Sequence, residues 1–414
     1  MTETLRKVLI CILVLCLSYI TLSADNYREK MLLDGSEKLV NYGIDTTGHW
    51  WALTEPFAGN YRLYVDGKAG DEYKEIKNLT FSSDGSKWAY FARDNVQWFI
   101  VENNEKRVLP GNLAGEMLYS NNSQQLIYSY FNGEEETVSY GGGKTMRLYQ
   151  RAGKIYTDFS GYRIAFMGNR GNKKVMNING RETPQYDRIV PIGFWYDGEF
   201  LYAASNGGLW EVYKNDESMT EMFTDITEVA INRFNDVAAI VGRRSSGKSV
   251  ALLFSDKYYE PLIGKPYDQV YNLILHPEAP LIAYNATLFG QNMVIYSSTE
   301  FYSGQETSRP YFTPSGGDLY FMGCNIDCFV NVNGREYDIG TTLPAGLPLA
   351  KKTNSNTVAY STSTTIVVRY IDREKLVTGR IIDGITDPIY NWRTDSYETL
   401  GNIKDRLYLM TCAM

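Results

Sequence analysis

The sequence predicts an all-β protein, and three observations support this. Apolar runs of four to seven residues alternate with clusters of Gly, Asn, Asp and Ser, which is the pattern of short strands joined by tight turns. Aromatic residues make up 14% of the chain, and Tyr and Trp favour strands and half-buried surfaces. No window keeps apolar residues at helical spacing for three turns. A turn followed by an apolar strand also recurs at a nearly constant spacing, which indicates a repeat architecture.

The clearest copy of the repeat covers residues 81–104. An Asp84-Gly85 turn precedes an apolar strand, a second polar turn follows, and a second apolar strand ends near Val101. Two apolar strands joined by a few polar residues indicate a hairpin. Because one hairpin cannot bury its own apolar face, we expect successive copies to pack on one another.

Ten copies of this pattern follow one another between Asp34 and Met414. Their equivalent strand positions are 37 to 43 residues apart and are, in chain order, Ala52, Ala89, Ile127, Ala165, Tyr202, Ile240, Ala283, Tyr320, Ala359 and, as a weaker match, Leu400. Most copies add a second apolar strand and a further glycine turn, which gives four strands in about 38 residues. We therefore predict a β-propeller of four-stranded antiparallel blades with about 8 to 10 repeats.

The number of rings is left open by this count. Ten copies exceed the usual 4 to 8 blades of one propeller, so the ring is unusually large, or partial terminal copies pair to complete it, or two smaller rings abut. No composition shift or Pro-rich linker divides the chain. We therefore predict a single propeller domain over residues 25–414.

Residues 1–24 are predicted to be a secretory signal peptide. Arg6 and Lys7 precede an apolar run at residues 8–17, and the small residues Ser23 and Ala24 follow before the chain becomes polar. The run is short for a spanning helix, although an uncleaved membrane anchor is the alternative. We expect an exported protein that is periplasmic, secreted or associated with the cell envelope.

A phosphate-loop pattern, GRRSSGKS, begins at Gly242 and ends at Ser249. That motif requires a helix after the loop, so that the helix N-terminus faces the phosphates. The residues that follow, VALLFS, predict a strand, so we interpret the pattern as a hairpin turn and expect no nucleotide, and no other cofactor. The formal charge of −7 and the pI near 5.2 also argue against a nucleic-acid partner.

The cysteines predict a disulfide and no metal site. Cys324 and Cys328 close a small loop between two strand-like runs, and an oxidising compartment permits a disulfide there. Two cysteines are too few for a zinc site, which normally has four ligands. Cys412 is then an odd thiol, although a different pairing stays open.

A hydrolase site is not predicted. The sequence has no G-x-S-x-G elbow. Its two histidines, His49 and His276, are interpreted as turn residues, because no partner stands near either of them in the sequence.

The candidate binding residues are aromatic. Trp50, Trp195 and Trp392 do not belong to the repeat, so we expect their rings to face a sugar or peptide ligand. Tyr-Asp pairs also recur before several copies, and we interpret them as packing between blades, with a repeated binding surface as the alternative. The pairs are Tyr186-Asp187, Tyr267-Asp268 and Tyr337-Asp338.

The segments FSSDGSKWAYFA and VDGKAGDEY resemble the bacterial WD-repeat-like, or TolB-like, β-propeller repeats. In that family a Phe-Ser-x-Asp-Gly turn precedes a strand that ends in Ala-Tyr. The resemblance implies a propeller fold and an exported, often periplasmic setting, but it does not identify a ligand.

These observations favour an exported, non-catalytic propeller that binds a protein or a cell-envelope component. Repeats cover almost the whole chain, and no catalytic set of residues is visible in it. The alternative is a propeller enzyme that acts on glycans or peptides through carboxylates. Such carboxylates would converge on the central channel from different blades, which sequence spacing cannot reveal.

Overall fold

A computed structural model describes residues 27–232, 234, 236–258, 260–339, 349–362, 364–370 and 376–413. The predicted signal peptide lies outside these residues. Every regular element in the described part of the chain is a β-strand, which confirms the all-β prediction. Within the same ranges no helix has the length and hydrophobicity needed to cross a membrane.

The strands are short and are separated mostly by tight turns. In the first half of the chain they are β1 Tyr27–Asp34, β2 Lys38–Ile44, β3 Trp50–Phe57, β4 Asn60–Val65, β5 Lys68–Ala69, β6 Glu75–Phe81, β7 Trp88–Arg93, β8 Trp98–Glu102, β9 Glu105–Val108, β10 Leu113–Tyr119, β11 Leu126–Asn132, β12 Glu135–Tyr140, β13 Lys144–Leu148, β14 Arg151–Thr157, β15 Ile164–Arg170, β16 Lys173–Ile178, β17 Arg181–Glu182, β18 Arg188–Phe194, β19 Phe200–Asn206, β20 Leu209–Lys214 and β21 Glu217–Ser218. In the second half they are β22 Asp225–Ile231, β23 Val237–Arg243, β24 Ser249–Ser255, β25 Leu262–Ile263, β26 Gln269–Leu275, β27 Ile282–Leu288, β28 Gln291–Tyr296, β29 Thr299–Gly304, β30 Glu306–Thr307, β31 Tyr311–Phe312, β32 Leu319–Cys324, β33 Cys328–Val332, β34 Arg335–Asp338, β35 Leu349–Lys351, β36 Thr357–Ser361, β37 Ile366–Tyr370, β38 Leu376–Thr378, β39 Gly384–Ile385, β40 Ile389–Asn391, β41 Ser396–Ile403 and β42 Arg406–Ala413.

The chain divides into two compact units. Among the described residues, the larger unit lies within residues 73–336, and the smaller unit lies within residues 27–72, 337–339 and 349–413. In the larger unit, β6 to β25 form five consecutive four-stranded antiparallel sheets with their strands in sequence order. The strands from β26 to β33 lie in one larger sheet, where Gly304 of β29 pairs with Cys324 of β32. These sheets are the predicted blades, and the single domain over residues 25–414 stays a prediction.

The smaller unit contains the blade that joins the two ends of the described chain. Its sheets are β2 to β5, β35 to β38, and a sheet that combines β1 with β39 to β42. β1 pairs with β42 in antiparallel register, with Tyr27 opposite Cys412. The terminal strands therefore complete one blade together, as one of the three arrangements left open by the sequence requires.

The predicted repeat positions all occupy equivalent places in the blades. Each lies in the second strand of its blade, or in β32 or β41 where the sheet is extended, and each is buried. Seven of the ten are Ala or Ile, and such side chains suit a position over which neighbouring sheets pack closely. The prediction of a β-propeller of four-stranded blades is confirmed, and the register of the repeat is confirmed with it.

Two-residue turns join the third and fourth strands in most blades. Asn103 begins such a turn with a φ of 49°, and its side-chain oxygen accepts a hydrogen bond from the backbone N–H of Trp88 at 3.0 Å. Asn and Asp tolerate this left-handed conformation and bond to nearby backbone groups. The same position is taken by Asp66, Asn179, Asn215 and Asn333.

The recurrent Tyr-Asp pairs hold neighbouring blades together in the larger unit. Tyr186 and Tyr267 are buried and each forms an isolated β-bridge to the third strand of the preceding blade, at Lys174 and Ser249 respectively. The Tyr267 hydroxyl donates to Glu300 at 2.8 Å. For these two tyrosines the interpretation as packing residues is confirmed.

Candidate functional site

One connection between a third and a fourth strand in the larger unit is much longer than the two-residue turn. β24 ends at Ser255 and β25 begins at Leu262, so the third and fourth strands of this blade are joined by residues 256–261, of which Tyr259 is not described. The corresponding connections of the blades β6–β9, β14–β17 and β18–β21 have two residues. The four extra residues contribute to the spacing of 43 between Ile240 and Ala283, the largest in the repeat. We call residues 256–261 the long connection.

A cavity of about 400 Å³ lies against the long connection. Its aromatic lining residues include Trp195, Tyr196 and Tyr258, and its polar groups include Lys214, Asp256 and Glu260. The volume falls in the range of small-ligand sites, which are mostly apolar with a few placed polar groups. We call this the aromatic cavity.

The alternation of side chains along β24 explains why the long connection borders two cavities. Phe254 packs in the cluster that contains Trp195, whereas Leu253 packs in the cluster that contains Tyr267. Consecutive strand residues point to opposite faces of a sheet. A second cavity of about 280 Å³ therefore lies on the other face of the blade, and Tyr258 lines both cavities.

Lys214 is the cation of the aromatic cavity, and its charge is already paired. Its Nζ atom donates to Asp197 at 2.6 Å and lies 2.8 Å from Glu199. Burial alone would lower the pKa of Lys214, but the hydrogen bonds and the attraction of Asp197 and Glu199 outweigh it, so the pKa is raised. Lys214 stays charged and is held by two carboxylates.

The other two charged groups of the cavity are carboxylates without a cation. Asp256 accepts a hydrogen bond from the Ser255 hydroxyl at 3.2 Å. Within the described part of the chain, neither Asp256 nor Glu260 forms an ion pair. Both side chains are exposed at the long connection, so they are accessible to a ligand.

The three tryptophans chosen from the sequence lie in different surroundings. Trp195 is buried, and it lines the aromatic cavity. Trp392, in the smaller unit, is exposed, and the guanidinium carbon of Arg393 lies 5.4 Å from its ring centroid.

Trp50 differs from the expectation of a ligand-facing ring. It is buried in a cluster of the smaller unit with Ala52, Leu400 and Leu407. It is the first residue of β3, whose alternate side chains point inward. This burial could not be predicted because it depends on which sheet packs over the strand.

The cysteines form the pair that was expected from their spacing. A disulfide joins Cys324 and Cys328 at the ends of β32 and β33. Cys412 is a buried free thiol in the smaller unit, and burial raises its pKa to about 12.

The phosphate-loop pattern forms a hairpin. β23 ends at Arg243 and β24 begins at Ser249, and the N–H of Gly247 donates to the Arg244 carbonyl at 2.9 Å within the turn. Lys248, the residue that would contact phosphate, pairs with Asp268. The element after the loop is therefore a strand, as predicted.

The histidines differ from one another. His276 is a turn residue, since its Nδ1 accepts hydrogen bonds from the N–H groups of Glu278 and Ala279 at 3.1 and 3.0 Å. His49, in the smaller unit, was expected to have no partner, but its Nδ1 lies 2.5 Å from Asp66. Asp66 begins the turn after β4, so the contact arises from strand pairing and not from sequence proximity. The other ring nitrogen of His49 lies 3.4 Å from Nη1 of Arg393.

One cluster of two carboxylates and one arginine bears on the alternative of a propeller enzyme, because such an enzyme would act through carboxylates. We call it the Glu116 cluster. Arg151 lies 2.7 Å from Glu136 and 2.9 Å from Glu116. Ser129 also donates to Glu136 at 2.6 Å, and Glu116 accepts the N–H of Ile155 at 3.1 Å. Glu136 is buried, and the cluster joins the blade β10–β13 to the blade β14–β17.

These contacts explain the Glu116 cluster as structural. Burial raises the pKa of Glu116 despite the opposing effects of the Ile155 N–H and of Arg151. The acceptor atoms of Glu136 are occupied by Arg151 and Ser129. Among the described residues, no group of three or more His, Cys, Asp or Glu side chains is placed to hold a metal ion.

Comparisons with known proteins add no family. No family model matches the chain, and no curated protein matches it. Similar solved structures include the Dos1 propeller, with 9% identity, a TM-score of 0.40 and coverage of 81% of this chain and 92% of that one. An oligogalacturonate lyase in complex with manganese has 10% identity, a TM-score of 0.40 and coverage of 94% and 98%. TolB from Acinetobacter baumannii has 10% identity, a TM-score of 0.31 and coverage of 72% and 80%.

These similarities are too low to support a function. All three TM-scores are below 0.5, so the assignment of the fold rests on the sheets of the structure. Membership of the TolB-like repeat family stays a prediction.

Proposed function

We propose that this chain is an exported, non-catalytic β-propeller that binds a protein partner of the cell envelope at the aromatic cavity. The structural feature that most supports this function is the long connection. It adds residues at the third-to-fourth strand connection of one blade of the larger unit, where three other blades have two-residue turns. Its residues Asp256, Tyr258 and Glu260 line a cavity. Binding residues are commonly placed on loops that a rigid scaffold holds in position.

The scaffold around the cavity is rigid. Trp195 and Phe254 belong to a buried cluster that also includes Trp210 and Ile240 and links the blades β18–β21 and β22–β25. Close-packed interiors of this kind hold side chains in fixed rotamers. The exposed residues of the long connection are therefore presented from a fixed base, as a binding site requires.

The test is to shorten the long connection. Residues 256–261 are replaced by Asn-Gly, the turn that starts with Asn in other blades, which favours a two-residue hairpin. Wild type and variant are immobilised at equal density and exposed to the solubilised envelope proteins of the same organism. We expect proteins retained by the wild type to be lost from the variant, with the unfolding midpoint unchanged or raised.

A matched control uses a turn in the neighbouring blade. Asn215 and Asp216 form the two-residue turn between β20 and β21. Asp216→Gly therefore creates the same Asn-Gly sequence, and it leaves the aromatic cavity unchanged. This variant should retain the same proteins as wild type. If the shortened variant retains them too, the cavity is not the binding site and the proposal fails.

A further inference from the structure

Resting on the proposed function, we propose that the aromatic cavity takes a cationic side chain, an arginine or lysine of a basic segment in the protein partner. Three features of the cavity favour such a ligand: exposed aromatic rings, two carboxylates without a cation, and a native lysine that is already paired.

The exposed aromatic rings provide a surface that attracts cations. Tyr196 is 58% exposed and Tyr258 is 40% exposed, and both line the cavity. The ring of Trp195 lies beside that of Tyr196, with 5.9 Å between their centroids. The negative face of an aromatic ring attracts ammonium and guanidinium groups, and several rings around one site strengthen the effect.

The carboxylates supply the charge complement. Asp256 and Glu260 are separated by the central residues of the long connection, and both face the cavity. Neither has a cationic partner in the part of the chain that the structure describes. A guanidinium group can stack on a tyrosine ring and bond a carboxylate at the same time, so arginine fits this combination best.

Neighbouring cations do not cancel this charge. Lys214 lies within the cavity, but Asp197 and Glu199 together exceed its charge. Arg163 donates to the backbone carbonyl of Asp197 at 3.2 Å and, like the exposed Lys257, does not line the cavity. The four carboxylates are Asp197, Glu199, Asp256 and Glu260, and the three cations are Lys214, Arg163 and Lys257. The net charge of these seven groups is therefore negative.

A neutral saccharide is the main competing ligand. Sugars also stack on Tyr and Trp, and carboxylates accept hydrogen bonds from sugar hydroxyls. The two ligands differ in what they need from Asp256 and Glu260, because a sugar needs hydrogen-bond acceptors and a cation needs negative charge. Replacement of the two carboxylates by amides keeps an acceptor oxygen and removes the charge, and so separates the two ligands.

The experiment measures the binding of short peptides to the purified full chain by calorimetry and by tryptophan fluorescence. The probes are acetyl-Gly-Arg-Gly-amide, the same peptide with citrulline in place of arginine, and N-acetylglucosamine. Citrulline has nearly the shape of arginine and no charge. We expect saturable binding of the arginine peptide, weakened at least about fivefold by citrulline and weakened further by added salt.

The protein variants match this design. Asp256→Asn combined with Glu260→Gln should weaken the arginine peptide by about fivefold or more. Glu134→Gln combined with Asp327→Asn removes the same charge from exposed turns outside the cavity and should leave the affinity unchanged. Near-ultraviolet circular dichroism checks that all variants are folded.

The outcomes separate this inference from the proposed function. Equal binding of the arginine and citrulline peptides, binding of N-acetylglucosamine alone, or no saturable binding of any probe overturns the cationic ligand. The proposed function then still stands if the shortened long connection abolishes partner retention. It falls if the shortened variant retains its partners, whatever the peptides do.

Discussion

The carboxylate of Asp268 accepts a hydrogen bond from the backbone N–H of Phe289 at 2.7 Å, and it also pairs with Lys248. Phe289 begins the turn between β27 and β28 with a φ of 51°. In the blade β18–β21, Asp187 holds Gly207 in the same way, at 2.9 Å and with a φ of 63°. A phenylalanine therefore occupies a left-handed backbone position where another blade has glycine.

Phe289→Asn should stabilise the protein. A left-handed conformation costs a residue such as phenylalanine roughly 1–2 kcal/mol, while asparagine tolerates it and forms the favoured Asn-Gly turn with Gly290. The substitution loses a contact between Lys248 and the ring, 5.4 Å apart, which contributes roughly 0.5 kcal/mol at an exposed site. We expect the free energy of unfolding to rise by about 0.5–1 kcal/mol in urea titrations.

Val96→Asn is the control for the exposed ring. Val96 is 87% exposed and Phe289 is 86% exposed, and both stand at tips between a second and a third strand. Val96 has no positive φ, so its substitution should change stability by less than about 0.5 kcal/mol. Equal gains from both substitutions would mean that surface hydrophobicity, and not backbone strain, is responsible.

The repeat made most of the fold predictable from the sequence. Ten strand positions were placed by the turn-then-apolar pattern, because the same side-chain alternation is needed wherever a sheet has two covered faces. The long spacing between Ile240 and Ala283 also contained the signal for the long connection. The longer spacing is visible in the sequence, but it indicates a long connection only once the equivalent connections are known to be two-residue turns.

The side chains that meet across sheets were not predictable. His49 meets Asp66 because β3 and β4 are paired, and Arg151 meets Glu116 because two blades are neighbours. Neither distance follows from the sequence separation. Trp195 and Trp50 looked alike in the sequence, but only Trp195 stands beside a lengthened connection that leaves a cavity over it.

Arg151→Met should strongly destabilise the larger unit. It removes the cation from the buried Glu136 and from Glu116, and an uncompensated buried charge costs roughly 3–5 kcal/mol. Arg147→Met is the control, in the blade β10–β13 that carries Glu116 and Glu136. Arg147 pairs with Glu135 at 3.1 Å, with both side chains more than half exposed, so its loss should cost less than about 1 kcal/mol.

A second substitution identifies the cause of the Arg151 effect. If the unpaired charge is responsible, Glu136→Gln in the Arg151→Met background should recover part of the lost stability, as a coupled pair requires. Urea unfolding of the two single variants and the double variant measures the coupling. Additive losses would mean that Arg151 acts through packing alone.

We expect the ionised carboxylate of Asp84 to stabilise the first blade of the larger unit, so that the stability of this blade falls at acid pH. Its Oδ1 accepts hydrogen bonds from the Ser86 N–H at 3.0 Å and from the Ser82 hydroxyl at 2.7 Å. The bond from the Ser86 backbone is the largest cause that holds the pKa of Asp84 well below its usual value of 3.8. A carboxyl group whose pKa is lowered by folding adds stability above its unfolded pKa, and this stability is lost as the pH falls through the lowered folded pKa.

Asp84→Asn tests this dependence because the amide keeps an acceptor oxygen and cannot ionise. At pH 6 the variant should be less stable than wild type by about 1 kcal/mol, the contribution of a hydrogen bond to a charged group beyond that to a neutral one. The difference should shrink as the pH falls below about 4, because wild-type Asp84 then gains a proton in the unfolded chain and later in the folded chain. Urea midpoints of both proteins between pH 6 and pH 2.5 measure it, with Glu134→Gln as a control for net charge. A difference that stays constant across this range would show that the Asp84 charge does not stabilise the turn, and that the loss comes from the geometry of the amide.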